Sequence, residues 1–373
     1  MIPGRSFKFC ILVLTLVKLA ASALPISSNE VAAAHGAQVK ELEEYLDRRI
    51  AESEDVRAKS WKRDFSSVEA YERSVAPKRG ELWDLLGGKP TNGAPLAPKE
   101  ELIAEFETHW AYRVWLGAFD TVRVYGILLM PKVKEPAPAL ICIHGMTGSP
   151  EAVCGLTEKP DYHNNYGLEA AKRGYAVFAP LDVNTQKDRR WLDRKALLVG
   201  TRLQGLEQFK IVRVVDYLAS RKEVDATRIG AYGISWGGRT VMNAAALDRR
   251  IAACAISGHF NDLVPKMVTP STNYTPFIET AEDYAFFYGH FLKFTDADVV
   301  SLICPRAVFI EQGRRDRVAY WPMSQKAFES VKAIYERLGI GDRAVYSIFE
   351  GPHEIHAVEA FEFFERWLKP GKG

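Results

Sequence analysis

From about residue 105 onward, short apolar runs alternate with longer stretches in which apolar positions recur every three or four residues. The runs Ala139–Ile143, Tyr175–Pro180, Arg228–Gly233, Ile251–Ile256, Ala307–Glu311 and Ala344–Phe349 have the length and composition of buried strands. Between them the helical period predicts helices near Tyr166–Arg173, along the face made by Ile211, Val214, Val215 and Leu218, and over Gly237–Leu247, Ser324–Leu338 and Val358–Leu368. Strands and helices in this alternation predict an α/β fold with a mostly parallel central sheet flanked by helices. Binding and catalytic groups should then lie in loops beyond the carboxyl ends of the strands. Ahead of this series, Glu105–Leu116 and Thr121–Met130, separated by Gly117-Ala118-Phe119-Asp120, predict an antiparallel pair ended by Pro131.

The first hundred residues read differently. Residues 30–88 are polar and helix-prone, with Val39, Leu42, Tyr45 and Leu46 on one face and Leu82, Leu85 and Leu86 on another, closed by Gly87-Gly88. The Pro-rich stretch 89–99 reads as a loop. At the very start, basic Arg5 and Lys8, the apolar run Phe9–Val17 and the small residues Ala21-Ser22-Ala23 have the three parts of a secretory signal. Such a run is shorter than the about 20 residues a membrane span needs, so no span is expected in the mature chain. The predicted organisation is a signal peptide over 1–23, an N-terminal helical extension over 24–100 and a catalytic domain over 101–373, in a secreted or periplasmic protein. Between Gly258 and Ser301 the α/β rhythm breaks in a segment rich in rings, among them Phe260, Tyr274, Phe277, Tyr284, Phe287 and Phe294. These either line a substrate pocket over the strand ends or anchor a long excursion to the core.

Composition narrows the function. With 47% hydrophobic and 26% charged residues the chain is globular, and a formal charge of +2 gives no footprint for nucleic acid. Cys10 falls in the signal; of the remaining Cys142, Cys154, Cys254 and Cys304, Cys142 and Cys254 lie inside apolar runs and read as buried thiols. No spacing suggests a metal site, so no metal is expected. Nothing in the sequence specifies an oligomeric state.

The chemistry lies in Gly233-Ile234-Ser235-Trp236-Gly237-Gly238, a G-x-S-x-G elbow placed where a predicted strand meets a predicted helix. The sharp turn brings the residues flanking the serine nearly into contact, which glycine tolerates. A serine hydroxyl needs a base to take its proton, and the base needs an acid to fix its tautomer. In such folds the acid and the base follow the serine in the chain. His353, in the loop between the last predicted strand and helix, is the candidate base, with His356 its rival. Asp316, just past the strand Ala307–Glu311, is the candidate acid, with Glu311 and Asp262 as alternatives. The oxyanion of acyl transfer needs two fixed donors, assigned to the backbone N–H groups of Met146, in the loop after Ala139–Ile143, and of Trp236. His144 then reads as a structural residue of that loop.

These residues resemble the α/β-hydrolase superfamily, and within it the dienelactone-hydrolase-like and acetyl-xylan-esterase-like branch. The matching pieces are Ile143-His144-Gly145, Glu223-Val224-Asp225, the Ser235 elbow, Ser257-Gly258-His259-Phe260-Asn261-Asp262, Cys304-Pro305-Arg306, Gly313-Arg314-Arg315-Asp316 and Gly351-Pro352-His353-Glu354. The resemblance implies an eight-stranded, mostly parallel sheet and cofactor-free ester hydrolysis by a serine nucleophile. Two departures stand out: dienelactone hydrolases carry a cysteine where this chain has Ser235, and acetyl xylan esterases usually carry glutamine where it has Trp236. The indole is expected to narrow the acyl pocket and favour small acyl groups. The function expected is a secreted serine carboxylic-ester hydrolase acting on small-molecule or carbohydrate esters. The alternative is a serine peptidase resembling prolyl oligopeptidases, although the roughly 100 preceding residues are too few for a propeller domain.

Overall fold

The structure, a computed structural model, describes residues 27–369; the secretory signal read over 1–23 lies outside the described residues. The chain divides into two units, residues 1–53 and 54–373. In the first, helix α1 (Ser28–Ser60) begins with Ser27 bonded to Glu30 through both its N–H and its hydroxyl, each at 2.8 Å. Residues 28–49 of this helix are exposed, Val39, Leu42, Tyr45 and Leu46 included.

Within the second unit, past the end of α1, comes α2 (Val68–Leu85), whose N-cap Ser67 accepts from Ala70 N–H at 3.0 Å. Its Tyr71, Val75, Leu82 and Leu85 are buried, and the Tyr71 hydroxyl donates to Ser301 O at 3.0 Å. Three antiparallel strands follow: β1 (Lys99–Glu105), β2 (His109–Phe119) and β3 (Val122–Pro131). Then come β4 (Ala137–Ile143), α3 (Pro150–Val153), α4 (Tyr166–Lys172), β5 (Ala176–Pro180), α5 (Gln186–Leu198), α6 (Leu203–Ala219), β6 (Val224–Ile234), α7 (Trp236–Leu247) and β7 (Ile251–Ser257). The segment after β7 carries α8 (Leu263–Val268), α9 (His290–Lys293) and α10 (Asp296–Ser301). The chain closes with β8 (Ala307–Gly313), α11 (Trp321–Arg337), β9 (Ala344–Phe349) and α12 (Val358–Leu368).

The strands form one sheet in the order β1-β2-β3-β5-β4-β6-β7-β8-β9, parallel from β5 through β9. The chain runs from β4 out to β5 on one side, then crosses to β6 on the other. Loops leaving the carboxyl ends of β4 and β6 therefore diverge and open a crevice, which is where open α/β sheets bind ligands. Alternate residues of β4 feed two cores, Ile141 and Ile143 packing with α6, α7 and α11 on one face, Leu140 and Cys142 with α4 and α12 on the other. Cys142, Cys154, Cys254 and Cys304 are buried free thiols. Among the described residues no helix is long and apolar enough to cross a membrane.

Two differences from the sequence reading have physical causes. The sheet has nine strands rather than eight, because β1, a polar edge strand of sequence Lys-Glu-Glu-Leu-Ile-Ala-Glu, pairs with β2. Its charges suit an exposed edge and hide it from any search for apolar alternation. The run Glu105–Leu116 accordingly splits into the end of β1, a turn and the start of β2. Helix α5 was not predicted, since its sequence is dominated by charged residues; Thr185 caps it by accepting from Asp188 N–H at 3.1 Å.

Candidate active site

Ser235 stands between β6 and α7 with φ +58° and ψ −125°, a backbone conformation that L-residues rarely adopt. The packing around it over-determines that strain. A Cβ on Gly237 would come within 2.1 Å of Ile143 O, and one on Gly233 within 2.5 Å of Gly237 O, so both flanking positions are closed to larger residues. The Ser235 N–H donates to Ser257 O at 2.9 Å, pinning the elbow to the end of β7.

His353 and Asp316 meet as the sequence predicts. Nδ1 of His353 lies 2.7 Å from Asp316 Oδ2, and the other carboxylate oxygen accepts from the N–H groups of Val318 at 2.6 Å and Ala319 at 3.2 Å. The carboxylate is buried while the imidazole keeps partial exposure toward the pocket. The two loops are tied together: Arg314 N–H donates to Phe349 O and Arg315 N–H to Gly351 O, both at 2.9 Å. Gly258, at φ +58°, passes behind the ring, where a Cβ would lie 2.8 Å from His353 Cε1. Ser235 and His353 line one pocket, without a hydrogen bond joining the serine hydroxyl to the ring. Such contacts are often long in unliganded enzymes and tighten around substrate.

The rival residues are occupied elsewhere. His356 stacks on Phe349, with ring centroids 4.7 Å apart. Glu311 is buried and accepts from Tyr232 and Ser257 hydroxyls, both at 3.0 Å, and from the His356 and Ala357 N–H groups at 3.1 and 3.0 Å. Burial pushes its carboxyl up, and its bonds anchor the chain just past His353. Asp262 stands at the start of α8, and the carboxylate bonded to His353 is that of Asp316.

The loop after β4 holds one backbone amide without a partner among the described residues. The Gly145 N–H donates to His163 Nε2 at 3.0 Å, Thr147 N–H to Asn184 O at 2.7 Å and Gly148 N–H to Gly145 O at 3.1 Å, which leaves the Met146 N–H unpaired. Trp236, first residue of α7, likewise has a free N–H at the helix start. His144 is buried, its Nε2 accepting from Asp182 N–H at 3.1 Å with Nδ1 2.8 Å from Gly145 O. Burial pushes its pKa down to about 4, so it is neutral and structural, as read from the sequence.

The sequence reading missed what holds this loop. His163 Nδ1 lies 2.6 Å from Asp161 Oδ1, so its Nε2 is free to accept from Gly145, and burial lowers its pKa to about 4. The hydroxyl of Tyr162, between them in the chain, donates to Met146 O at 2.5 Å. The segment Asp161-Tyr162-His163 thus grips both sides of the Met146 peptide, with no local motif to announce it.

The pocket is a cavity of about 280 Å³ lined by Met146, Tyr162, Ser235, Trp236, His259, Lys266, Thr275, Phe277, Glu282, Val318 and His353. Both readings of the ring-rich segment hold in part. Phe277 lines the pocket and Tyr284 packs on Trp236, whereas Phe260, Phe287 and Phe294 belong to the main core. The Trp236 indole is fixed: its Nε1–H donates to Glu282 at 3.0 Å, and the guanidinium carbons of Arg189 and Arg239 each stand 5.0 Å from its ring. Arg189 is itself held by a buried two-pronged bond to Glu207 at 2.9 and 2.6 Å. A strained serine, an imidazole held by a buried carboxylate and two free amides on residues that line one pocket are the parts that acyl transfer requires.

Residues 96–275 match the acetyl xylan esterase (AXE1) family. YtaP of Bacillus subtilis, named as a hydrolase, is 28% identical over 306 residues, covering 79% of this chain and 99% of its own. A Bacteroides fragilis structure named as an acetyl xylan esterase superposes with TM-score 0.61 at 17% identity, over 84% of this chain and 88% of its own. A CE15 glucuronoyl esterase from Teredinibacter turnerae gives TM-score 0.59 at 17% identity, over 81% and 86% of the two chains. With the sheet order and the elbow, these likenesses place the fold: the chain has the α/β-hydrolase fold. It is an enzyme, a serine hydrolase of the carboxylesterase type.

Proposed function

We propose that the protein is an exported esterase that removes small acyl groups from carbohydrate esters, with Ser235, His353 and Asp316 as its catalytic residues. In this reading Ser235 Oγ attacks the ester carbonyl while His353 Nε2 accepts its proton. Asp316, bonded to Nδ1, holds the required tautomer and stabilises the imidazolium. The N–H groups of Met146 and Trp236 receive the oxyanion. His353 then protonates the departing alcohol, and water attacks the acyl-enzyme by the same steps to release the acid and free Ser235. The observation that carries the reading is the 2.7 Å His353–Asp316 pair in one pocket with the strained Ser235 and the free Met146 amide.

Small acyl groups follow from the cavity of about 280 Å³ and from the clamped indole beside the nucleophile. Carbohydrate as the alcohol is supported by the acetyl xylan esterase match and by the names of the structural relatives. Export is supported by the composition of residues 1–23. The test is hydrolysis of 4-nitrophenyl acetate, butyrate and octanoate, acetylated xylan and a proline anilide by the wild type and Ser235→Ala. Turnover of the acetate and of acetylated xylan, falling away at octanoate and absent in the variant, is expected. Cleavage of the anilide in preference to any ester would overturn the reading in favour of a peptidase.

A further inference from the structure

One charged side chain in the pocket has no part in acyl transfer. Lys266, on α8, is buried with 3% exposure, and its Nζ donates to Thr275 O and lies 4.7 Å from the centroid of Phe277, both residues of the pocket wall. An ammonium carries three donors, and this one uses a single acceptor. Among the described residues it forms no ion pair. The carboxylates nearest in charge are committed to other partners. Glu282 accepts from Trp236 Nε1 at 3.0 Å, the Thr280 hydroxyl at 2.9 Å and the Tyr284 hydroxyl at 3.4 Å. Asp316 is taken by His353 and two backbone amides. Asp296 accepts from Asn261 N–H at 3.1 Å.

A buried cation with no carboxylate bonded to it is costly, because the lost hydration is not returned by a partner. Burial drives the Lys266 pKa down to about 8, which is the same cost expressed in protons. A methionine or leucine would fill this wall without that cost. The spare N–H groups and the missing negative charge are both made good by a ligand that brings one anionic acceptor into the pocket. A single ammonium matches the single charge that a carboxylate carries.

We propose that Lys266 forms an anion subsite of the active-site pocket and that the preferred esters carry a carboxylate close to the scissile bond. This deepens the esterase reading and rests on it. The carboxylate can stand on the acyl side, as in a half-ester of a dicarboxylic acid, or on the alcohol side, as in an acylated uronic acid unit.

Two matched pairs separate these sources: 4-nitrophenyl hexanoate against the 4-nitrophenyl half-ester of adipic acid, and acetylated methyl glucoside against acetylated methyl glucuronide. In each, the ratio of kcat/KM for the anionic over the neutral ester cancels any general change in activity. The expected result is a ratio of about ten or more on one pair in the wild type, falling below about three in Lys266→Met and partly kept in Lys266→Arg. Neutral esters preferred in both pairs, or a preference unchanged in Lys266→Met, would overturn the subsite and leave the esterase reading standing. Should no ester be turned over, with Ser235 inert to a fluorophosphonate, the esterase reading itself fails. Calorimetry on Ser235→Ala then decides the subsite, since methyl glucuronide or hexanoate must bind at least about tenfold tighter than methyl glucoside or hexanol, respectively.

Discussion

At Gly258 a single missing side chain makes room for the His353 ring. Its φ of +58° and the 2.8 Å approach of a would-be Cβ to His353 mean that alanine there must both strain the backbone and move the imidazole. Gly258→Ala is expected to cost about 1–2 kcal/mol of stability, read by chemical denaturation, and to lower kcat more than the stability loss explains. Asp316→Asn should leave the fold intact while kcat falls about 10⁴-fold, because the amide holds the wrong imidazole tautomer. His163 acts at one remove. Replacing it by phenylalanine leaves the Gly145 N–H without its acceptor and loosens the peptide that presents Met146; kcat should fall about 10- to 100-fold with KM little changed, and His163→Gln should recover part of the loss. Legibility divided along the same line. Ser235, Asp316 and His353 could be read because each sits in a short motif at a predicted strand end. His163 and Lys266 could not, because their meaning comes from Gly145 and from an absent counter-charge, neither of which is a neighbour in sequence.

Among the elements, those whose burial is regular were the readable ones. β9 and α12 fall on the predicted residues, Ala344–Phe349 and Val358–Leu368, since one is a half-buried strand and the other turns a row of Phe361, Phe364 and Leu368 inward. β1 and α5 escaped because their pairing and capping, not apolar period, define them. The segment between β7 and β8 builds one wall of the pocket, for it brings Lys266, Phe277 and Glu282 to it. Its hold on Trp236 passes through the Glu282–Nε1 bond. Glu282→Ala should therefore free the indole and raise the ratio of octanoate to acetate hydrolysis by 4-nitrophenyl esters, whereas an unchanged acyl profile would mean that packing alone fixes the ring.

For the whole molecule, the buried neutral histidines predict how stability responds to acid. His144 and His163 have pKa values near 4 in the fold against about 6.5 in an unfolded chain. Between those values the unfolded chain binds the additional protons, so stability is full above pH 6.5 and falls as pH drops toward 4, by up to about 1.4 kcal/mol per unit for each histidine. Asp296, raised to about 7 by burial, works in the opposite sense over nearly the same range and offsets part of the loss. A denaturation midpoint lower at pH 5 than at pH 7, with a shallower dependence in His163→Gln, is the expected outcome. The layered α/β architecture was legible as a whole because alternating strand and helix periods admit few other packings. Strand number was less so, since an edge can accept one more polar strand without altering either core.

The elbow has a consequence beyond chemistry. Its turn closes against the carbonyls of Ile143 and Ser257, which end the strands on either side, the one far upstream and the other the next strand in the chain. The nucleophile cannot take shape in a fragment or in a loosely collapsed chain. Catalytic competence therefore serves as a built-in proofreading signal for correct strand assembly, and titration with denaturant should abolish fluorophosphonate labelling at the same concentration that abolishes the far-ultraviolet signal of the sheet.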